Sequence, residues 1–210
     1  MKKGIIFDMD GTLWDSSESV AFAWTEKIRE LGYDIPDVTR KDVMGVMGLT
    51  MDKIADKLFG SLPAVERMKL LDLCCENENL YLSSHGGMLY PELEKTLKSL
   101  KRNYHLYIVS NCQSGYIETF LGYYGFGKYF DDIECYGNNL LDKGDNIALI
   151  VSRNGLDKAW YVGDIQGDYD ATMKAGIGFI HAAYGFGRIS QNVPELQKIS
   201  DLPQLMKMLE

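Results

Sequence analysis

The sequence predicts a three-layer α/β protein: a parallel β-sheet covered by helices on both faces, with a small all-α unit inserted after the first strand. The first observation behind this prediction is that short apolar runs alternate with helical patterns along most of the chain, as in consecutive βαβ units. The second is that these runs have the length of strands buried on both faces of a parallel sheet. The third is that no convincing strand pattern falls between about 16 and 83.

The first element, at 4–7, is a Gly-Ile-Ile-Phe run that predicts a buried strand. Asp8 and Asp10 interrupt the apolar run directly after it, so the N-terminus does not have the pattern of a signal peptide. No apolar run elsewhere in the sequence approaches the roughly 20 residues that cross a bilayer. We therefore expect a cytoplasmic protein without a membrane partner.

The next stretch, from 16 to 83, is predicted to be a helical subdomain. Ser16 or Ser17 is expected to cap its first helix, which Gly32 is expected to end. Further helical patterns cover about 40–47, 51–59 and 64–82. The predicted division is a core formed by 1–15 and 84–210, with residues 16–83 as the inserted unit.

After the insert, strands and helices alternate again. Pro91 opens a helical pattern, a second helix is predicted over 144–154, and a third follows the strand at 159–162. The remaining predicted strands are at 104–109, 133–136 and 177–182. A chain with this order of elements is expected to form a parallel sheet.

Composition sets limits on the function. The 210 residues are 46% hydrophobic and 25% charged, which excludes a disordered chain and a coiled coil. The net charge of -8 argues against nucleic acid as a partner. The four cysteines have no CxxC spacing, which indicates reduced thiols in the cytoplasm.

The strongest chemical signal follows the first strand, where Asp8 and Asp10 precede Gly11. In an extended chain, this spacing directs both carboxylates to the same side. Ligands of open α/β sheets bind beyond the carboxyl ends of the strands, which is where this pair falls. Because two such close carboxylates repel each other, the pair is expected to bind a cation or to share a proton.

A second acidic pair follows the strand at 159–162. Asp164 stands at the end of this strand, and Asp168 lies near the start of the next helix. Asp168 by itself could be a helix cap. Together the four carboxylates form a set of hard oxygen ligands without His or Cys, which favours Mg²⁺ over a transition metal.

Groups suited to phosphate complete the pattern. Ser110 and Asn111 end the strand at 104–109, and Lys143 precedes the helix at 144–154. A phosphoryl group carries three charged oxygens, and its transfer depends mainly on positioning and electrostatics. One carboxylate would attack phosphorus to form an aspartyl-phosphate, and another would protonate the leaving oxygen and then activate water.

These motifs, in this order, resemble the haloacid dehalogenase superfamily in its phosphatase branch. The matching positions are Asp8-Met9-Asp10-Gly11-Thr12, then Ser110, Lys143, and Gly163-Asp164 with Asp168. Tyr90-Pro91 is similar to the phosphoglycolate-phosphatase-like members, and the inserted helices match the family's small helical cap. The resemblance implies a Rossmann-like core and hydrolysis of a small phosphorylated metabolite.

The resemblance also implies roles for the matching residues. Asp8 would be the nucleophile and Asp10 the general acid and base. Mg²⁺ would be bound by Asp8, the Asp10 carbonyl, Asp164 and, directly or through a neighbouring ligand, Asp168. The residues expected to bind phosphate are Gly11, Thr12, Ser110, Asn111 and Lys143.

Two other functions stay open. The first is that of a sugar-phosphate mutase. Such mutases resemble this chain but usually carry an Arg in the cap loop to hold a second phosphate. The equivalent stretch here, 45–53, has no Arg, and only Lys53 could replace it. The second is that of a non-catalytic module that binds a phosphorylated ligand.

Asp10 disfavours dehalogenation, because a halide needs no proton to leave. The substrate is not identified, although Trp24, Met47 and Leu49 could form an apolar specificity surface. We expect a monomer.

Overall fold

A six-stranded, fully parallel sheet forms the centre of the computed structural model, which describes residues 1–209. Eight strands occur in chain order: β1 (Lys3–Phe7), β2 (Trp14–Asp15), β3 (Met88–Leu89), β4 (His105–Ser110), β5 (Asp132–Cys135), β6 (Lys158–Gly163), β7 (Gly178–Ala182) and β8 (Glu195–Leu196). The order in the large sheet is β5-β4-β1-β6-β7-β8. The predicted α/β class with a parallel sheet is confirmed.

Within residues 1–209, ten α-helices connect and cover these strands. They are α1 (Ser17–Glu30), α2 (Arg40–Met44), α3 (Met51–Leu58), α4 (Ala64–His85), α5 (Leu93–Leu100), α6 (Tyr116–Tyr124), α7 (Tyr136–Asn139), α8 (Lys143–Arg153), α9 (Gln166–Ala175) and α10 (Leu202–Leu209). Helices α1–α4 all lie between β2 and β3, so the described residues of the predicted insert are helical without a strand. The division into two domains stays a prediction.

The chain order of the sheet creates a switch point between β1 and β6. From β1 the chain moves to β4 and then outward to β5, whereas from β6 it moves in the opposite direction to β7 and β8. Two neighbouring strands whose connections leave in opposite directions open a crevice at their carboxyl ends. Asp8 follows β1 and Asp164 follows β6, so both flank this crevice.

Alternating side chains of the central strand pack into different layers. Ile5 and Phe7 belong to the larger core cluster, whereas Ile6 belongs to a smaller one with Tyr107 and Tyr161. All five of these side chains are completely buried. Strands buried on both faces read as continuous apolar runs, which is why four of the five predicted strands were clear in the sequence.

Two small features were not predicted. Trp14 pairs with Leu89, and Asp15 pairs with Met88, in an antiparallel ribbon that joins the two ends of the inserted segment to each other. The edge strand β8 also has only two residues. Strands this short carry no periodic pattern, so they can be recognised only from their hydrogen-bonded partners.

The predicted cap of α1 is confirmed in its position at Ser16 but lacks the side-chain hydrogen bond of a cap. Ser16 occupies the cap position but makes no capping hydrogen bond with its side chain, and Ser17 is the first helical residue. The Ser16 hydroxyl instead donates to Asp10 Oδ1 at 2.5 Å. A carboxylate accepts a stronger hydrogen bond than a neutral group, so the Ser16 hydroxyl bonds to Asp10 instead of capping the helix. The predicted end is confirmed, because Gly32 follows α1 with a φ of +74°.

All four cysteines are buried thiols, and no disulfide joins any of them within residues 1–209. In the same part of the chain, no helix combines the length and the apolar character needed to cross a membrane.

Candidate active site

The predicted chemical residues come from four separate segments that meet at the crevice. Asp8 extends β1, and its backbone N–H donates to Val162 O of β6 at 2.9 Å. Asp164 follows β6, Ser110 is the last residue of β4, and Lys143 is the first residue of α8. The carboxyl ends of neighbouring parallel strands lie at one edge of the sheet, so residues more than 150 positions apart become neighbours.

Three carboxylates form a buried acidic cluster. Asp8, Asp164 and Asp168 each place an oxygen within 4.8 Å of the other two. Burial and the nearby Asp168 charge raise the pKa of Asp8 to about 7, although Lys143 opposes the shift. Burial together with Asp168 and Asp8 also raises the pKa of Asp164 well above its usual range. Within this cluster the carboxylates therefore need additional positive charge to be ionised together.

Lys143 supplies part of that charge. Its ammonium group lies 3.0 Å from Asp8 Oδ1 and 2.6 Å from Asp168 Oδ1. Burial by itself lowers the pKa of this lysine, but the charges of Asp168 and Asp8 outweigh burial and raise it. One ammonium group faces three carboxylates, so the remaining negative charge and the all-oxygen donor set fit a hard divalent cation such as Mg²⁺.

Asp168 is more restrained than the other two members of the cluster. Its Oδ2 accepts hydrogen bonds from the backbone N–H groups of Asp164 and Ile165, at 2.9 and 3.1 Å. Its Oδ1 accepts from Lys143. Because both oxygens already have partners in the protein, the geometry favours a role in holding Lys143 and the turn that carries Asp164.

The side chain of Asp10 lies apart from the cluster. Its Oδ1 accepts hydrogen bonds from the hydroxyls of Ser16, at 2.5 Å, and Tyr116, at 2.8 Å. Burial raises the pKa of Asp10 to about 6, against the opposing effect of these two hydrogen bonds. A carboxyl group with a pKa near neutrality can both donate and accept a proton at physiological pH.

Tyr116 and the role of Ser16 were missed by sequence reasoning. Tyr116 lies on α6, 106 residues from Asp10, and no local spacing links the two. Ser16 was read as a helix cap because serine before a helical pattern usually has that function. Only the folded chain shows that both hydroxyls fix the orientation of one carboxylate.

Gly11 is required where the Asp8–Asp10 segment turns. Its φ is +80°, and a Cβ atom there would lie 2.2 Å from Asp164 Oδ2. A side chain would therefore strain the backbone and displace a carboxylate of the cluster. Thr12 is completely buried, its hydroxyl has no hydrogen-bond partner among the described residues, and it does not belong to the wall of the cavity described below.

A cavity opens between the crevice and the inserted helices, with about 480 Å³ of empty space including its mouth. Four predicted site residues line it: Asp8, Asp10, Ser110 and Asn111. The side-chain amide of Asn111 donates to Gly48 O in the loop between α2 and α3, at 2.9 Å. The inserted helices contribute a mostly apolar wall, and the predicted surface residues Trp24, Met47 and Leu49 are part of it.

One polar residue of the inserted helices was not predicted. Glu78 of α4 lines the cavity and is only 3% exposed. Its Oε2 accepts a hydrogen bond from Trp24 Nε1 at 2.5 Å. Cys74 and Leu82, four residues before and after it, are completely buried. This helical spacing was the available signal that Glu78 faces inward.

Replacing Lys143 with alanine is expected to lower the free energy of unfolding by about 3–5 kcal/mol in the absence of divalent cations, because it leaves buried carboxylates without their ammonium partner. Urea unfolding in EDTA measures this loss. The matched control is Lys53→Ala, since Lys53 is exposed, and it is expected to change stability by about 0.5 kcal/mol or less. Equal stability of the two variants would contradict the structural role of Lys143.

Fold and site together define a class: a doubly wound α/β enzyme with an acidic crevice at its switch point, covered by inserted helices. Comparison with known proteins gives the family. The family model described as haloacid dehalogenase-like hydrolase matches residues 5–182. The phosphoglycolate phosphatase of Aquifex aeolicus is 30% identical over 96% of this chain and 95% of its own length. The chain belongs to the haloacid dehalogenase-like hydrolase family, and it is a phosphatase of that family, as predicted.

Further relatives agree with this assignment. The phosphoglycolate phosphatase of Vibrio parahaemolyticus is 28% identical over 88% of this chain and 85% of its own length. A haloacid dehalogenase-like hydrolase of Streptococcus pneumoniae superposes with a TM-score of 0.82 at 22% identity, over 100% of this chain and 99% of that one. CbbY of Rhodobacter sphaeroides, solved in complex with phosphate, superposes with a TM-score of 0.78 at 19% identity, over 96% of this chain and 96% of that one. The solved structures support the fold.

Proposed function

We propose that this phosphatase hydrolyses a small phosphomonoester with Mg²⁺ through an aspartyl-phosphate on Asp8. The observation that carries the proposal is the position of Asp8: it lines the cavity and also contacts Lys143 and the acidic cluster. A nucleophile for phosphoryl transfer needs access to substrate and neighbouring positive charge for the phosphate oxygens. We further propose that the protein is a cytoplasmic monomer without a nucleic acid or membrane partner.

The metal site would be formed by Asp8, Asp164 and the Asp10 carbonyl, with Asp168 as a direct or indirect ligand. A bound Mg²⁺ supplies positive charge that neutralises phosphate oxygens and keeps the carboxylates ionised. Lys143 lies at the same cluster and would share the phosphate charge. Ser110 and Asn111 line the cavity beside Asp8, so their hydroxyl and N–H groups would bind further phosphate oxygens.

In the first step, a carboxylate oxygen of Asp8 attacks phosphorus and the bond to the leaving oxygen breaks. Asp10 gives its proton to that oxygen, which departs as an alcohol. Ser16 and Tyr116 hold the Asp10 carboxyl in one orientation, so the carboxyl does not have to reorient before each proton transfer. The burial that raises the pKa of Asp10 to about 6 keeps part of it protonated near neutral pH.

In the second step, Asp10 is ionised and accepts a proton from a water molecule. The oxygen of this water attacks phosphorus, and the bond from phosphorus to Asp8 breaks. Phosphate leaves, and the carboxylate of Asp8 and the proton on Asp10 are both restored. Asp10 thus acts as an acid in the first step. Because it has then lost its proton, it acts as a base in the second step.

Water is the proposed phosphate acceptor. A mutase needs a cation in the insert that holds a second phosphate group. Lys53, the residue that could take this part, is exposed, and it is absent from the cavity wall formed by the described residues. A non-catalytic binding module is disfavoured because every motif residue of the family is present, and the chain retains both Asp8 and Asp10.

Removal of divalent cations is expected to reduce hydrolysis of p-nitrophenyl phosphate by about 100-fold or more, because several kcal/mol of charge stabilisation is lost. Activity should return on addition of Mg²⁺ in excess of EDTA. Far-UV circular dichroism in EDTA serves as the control for folding. Turnover that survives chelation would contradict the metal assignment, and no turnover with Mg²⁺ would contradict hydrolysis itself.

A further inference from the structure

The part of the cavity away from Asp8 carries a buried acid and, within residues 1–209, no basic side chain. Glu78, Gln113 and Tyr116 are its polar residues away from the phosphate end, and the rest of this wall is apolar. Among residues 1–209, no Lys, Arg or His contributes to the cavity lining. Lys143, the basic residue at the acidic cluster, is already held by Asp8 and Asp168.

Glu78 is held in place within the cavity wall. Trp24 Nε1 donates to its Oε2 at 2.5 Å, and Gln113 lines the same cavity. Gln113 also donates to Asn79 Oδ1 at 3.3 Å, which ties the loop after β4 to α4. A carboxyl group held in this way has lost its freedom to turn toward solvent, so a group that enters the cavity meets it in a defined orientation.

The electrostatic environment of Glu78 agrees with the absence of a basic partner. Burial raises the pKa of Glu78 to about 8, the hydrogen bonds from Trp24 and Gln113 oppose this shift, and the charge of Asp10 adds to it. A second carboxylate placed beside Glu78 would meet a similarly dry and acidic surface. Such a group would lose its hydration without gaining an opposite charge.

We propose that Glu78 is a specificity-determining residue that selects phosphomonoesters whose leaving group carries a hydrogen-bond donor, a hydroxyl or an ammonium, and that disfavours a leaving group with a carboxylate. The inference rests on the proposed hydrolase function and narrows its substrate class. It predicts that the chain does not share the substrate for which its phosphoglycolate phosphatase relatives are named. The Glu78 carboxyl can accept a hydrogen bond from either donor, and an ammonium also gains an opposite charge when Glu78 is ionised.

The test uses leaving groups of similar size that differ in charge. The two-carbon probes are 2-phosphoglycolate, 2-hydroxyethyl phosphate and O-phosphoethanolamine, and a four-carbon set repeats the same three end groups. Steady-state kcat/KM is measured for each with Mg²⁺. We expect the better of the hydroxyl and ammonium probes to exceed the carboxylate probe by about tenfold or more at the chain length that is turned over best.

Substitution of Glu78 separates its effect from that of the rest of the cavity. When kcat/KM is measured at a pH above the pKa of Glu78, Glu78→Gln keeps a hydrogen-bond acceptor but removes the charge, so the ammonium-to-carboxylate ratio of kcat/KM is expected to fall about tenfold, with a smaller change in the hydroxyl-to-carboxylate ratio. A ratio within one variant is independent of any loss of total activity. The matched control is Glu76→Gln, because Glu76 is exposed on the same helix, and its ratios should equal those of the wild type.

Two results would overturn the inference. One is a wild-type enzyme that hydrolyses the carboxylate probe as efficiently as the other two at both chain lengths. The other is a Glu78→Gln variant whose ratios match those of Glu76→Gln. Hydrolysis of p-nitrophenyl phosphate in either case would leave the proposed function intact. Absence of Mg²⁺-dependent turnover with every ester would instead refute the proposed function together with this inference.

Discussion

Replacement of Asp8 by asparagine is expected to abolish turnover of every phosphomonoester, with a loss of about 10⁴-fold or more in kcat. The amide of asparagine is too weak a nucleophile to attack phosphorus, and within residues 1–209 no other carboxylate both lines the cavity and contacts Lys143. Asparagine has nearly the same shape and keeps a carbonyl acceptor for Lys143. The measurement is kcat for p-nitrophenyl phosphate at saturating Mg²⁺.

Controls must separate chemistry from folding and from net charge. Asp170→Asn removes one negative charge from an exposed position on α9 and should retain the wild-type rate. The circular dichroism spectrum of Asp8→Asn should match that of the wild type. Intact mass spectrometry should exclude deamidation back to aspartate. A verified, folded Asp8→Asn protein with substantial activity would remove Asp8 from the role of nucleophile.

Replacement of Asp10 by asparagine is expected to cause a loss that depends on the leaving group. For an alkyl phosphate, the loss in kcat/KM should reach about 10²–10⁴-fold, because the alkoxide cannot leave without a proton. For p-nitrophenyl phosphate the loss in kcat/KM should be much smaller, since p-nitrophenolate leaves unprotonated. The two hydroxyls that hold Asp10, from Ser16 and Tyr116, can still contact the amide oxygen, so the local structure should persist.

The same variant has a second readout. Asp10 also activates water in the proposed second step, so Asp10→Asn should accumulate the phosphorylated enzyme. Rapid mixing with p-nitrophenyl phosphate is expected to show a burst of about one p-nitrophenolate per active site, followed by slow turnover. The wild type under the same conditions serves as the reference. Equal losses in kcat/KM for both ester types, with no burst, would contradict the acid and base role of Asp10.

The sequence was informative where a physical pattern is local. A central strand such as β1 is buried on both faces, so its apolar run and the acidic residues that end it were visible without a structure. The helical periodicity of 16–83 was equally local. The ribbon of β2 and β3 was not, because each strand has two residues and is defined by a partner more than 70 positions away.

The site residues that could be predicted are likewise those with a local pattern in the sequence. Asp8, Ser110 and Asp164 each stand at the end of a predicted strand, and sheet geometry alone implies that such ends converge. Tyr116 and Glu78 reach the site from helices, where the direction of a side chain depends on how the helix packs. Ser16 occupies the predicted cap position, but its hydroxyl donates to the Asp10 carboxylate, which the local rule for helix caps does not predict.

The amino-acid sequence alone determined the α/β class, and it predicted the helical segment after the first strand and the candidate site residues. This was possible because the apolar runs of buried strands and the spacing of charged groups can both be recognised within short segments of the sequence. The tertiary structure decided how those groups are arranged: which hydroxyls hold Asp10, how Lys143 is shared between Asp8 and Asp168, and that Glu78 lines the cavity. Hydrogen bonds and charge interactions act over a few ångströms in space, and only folding brings distant segments of the chain within that range.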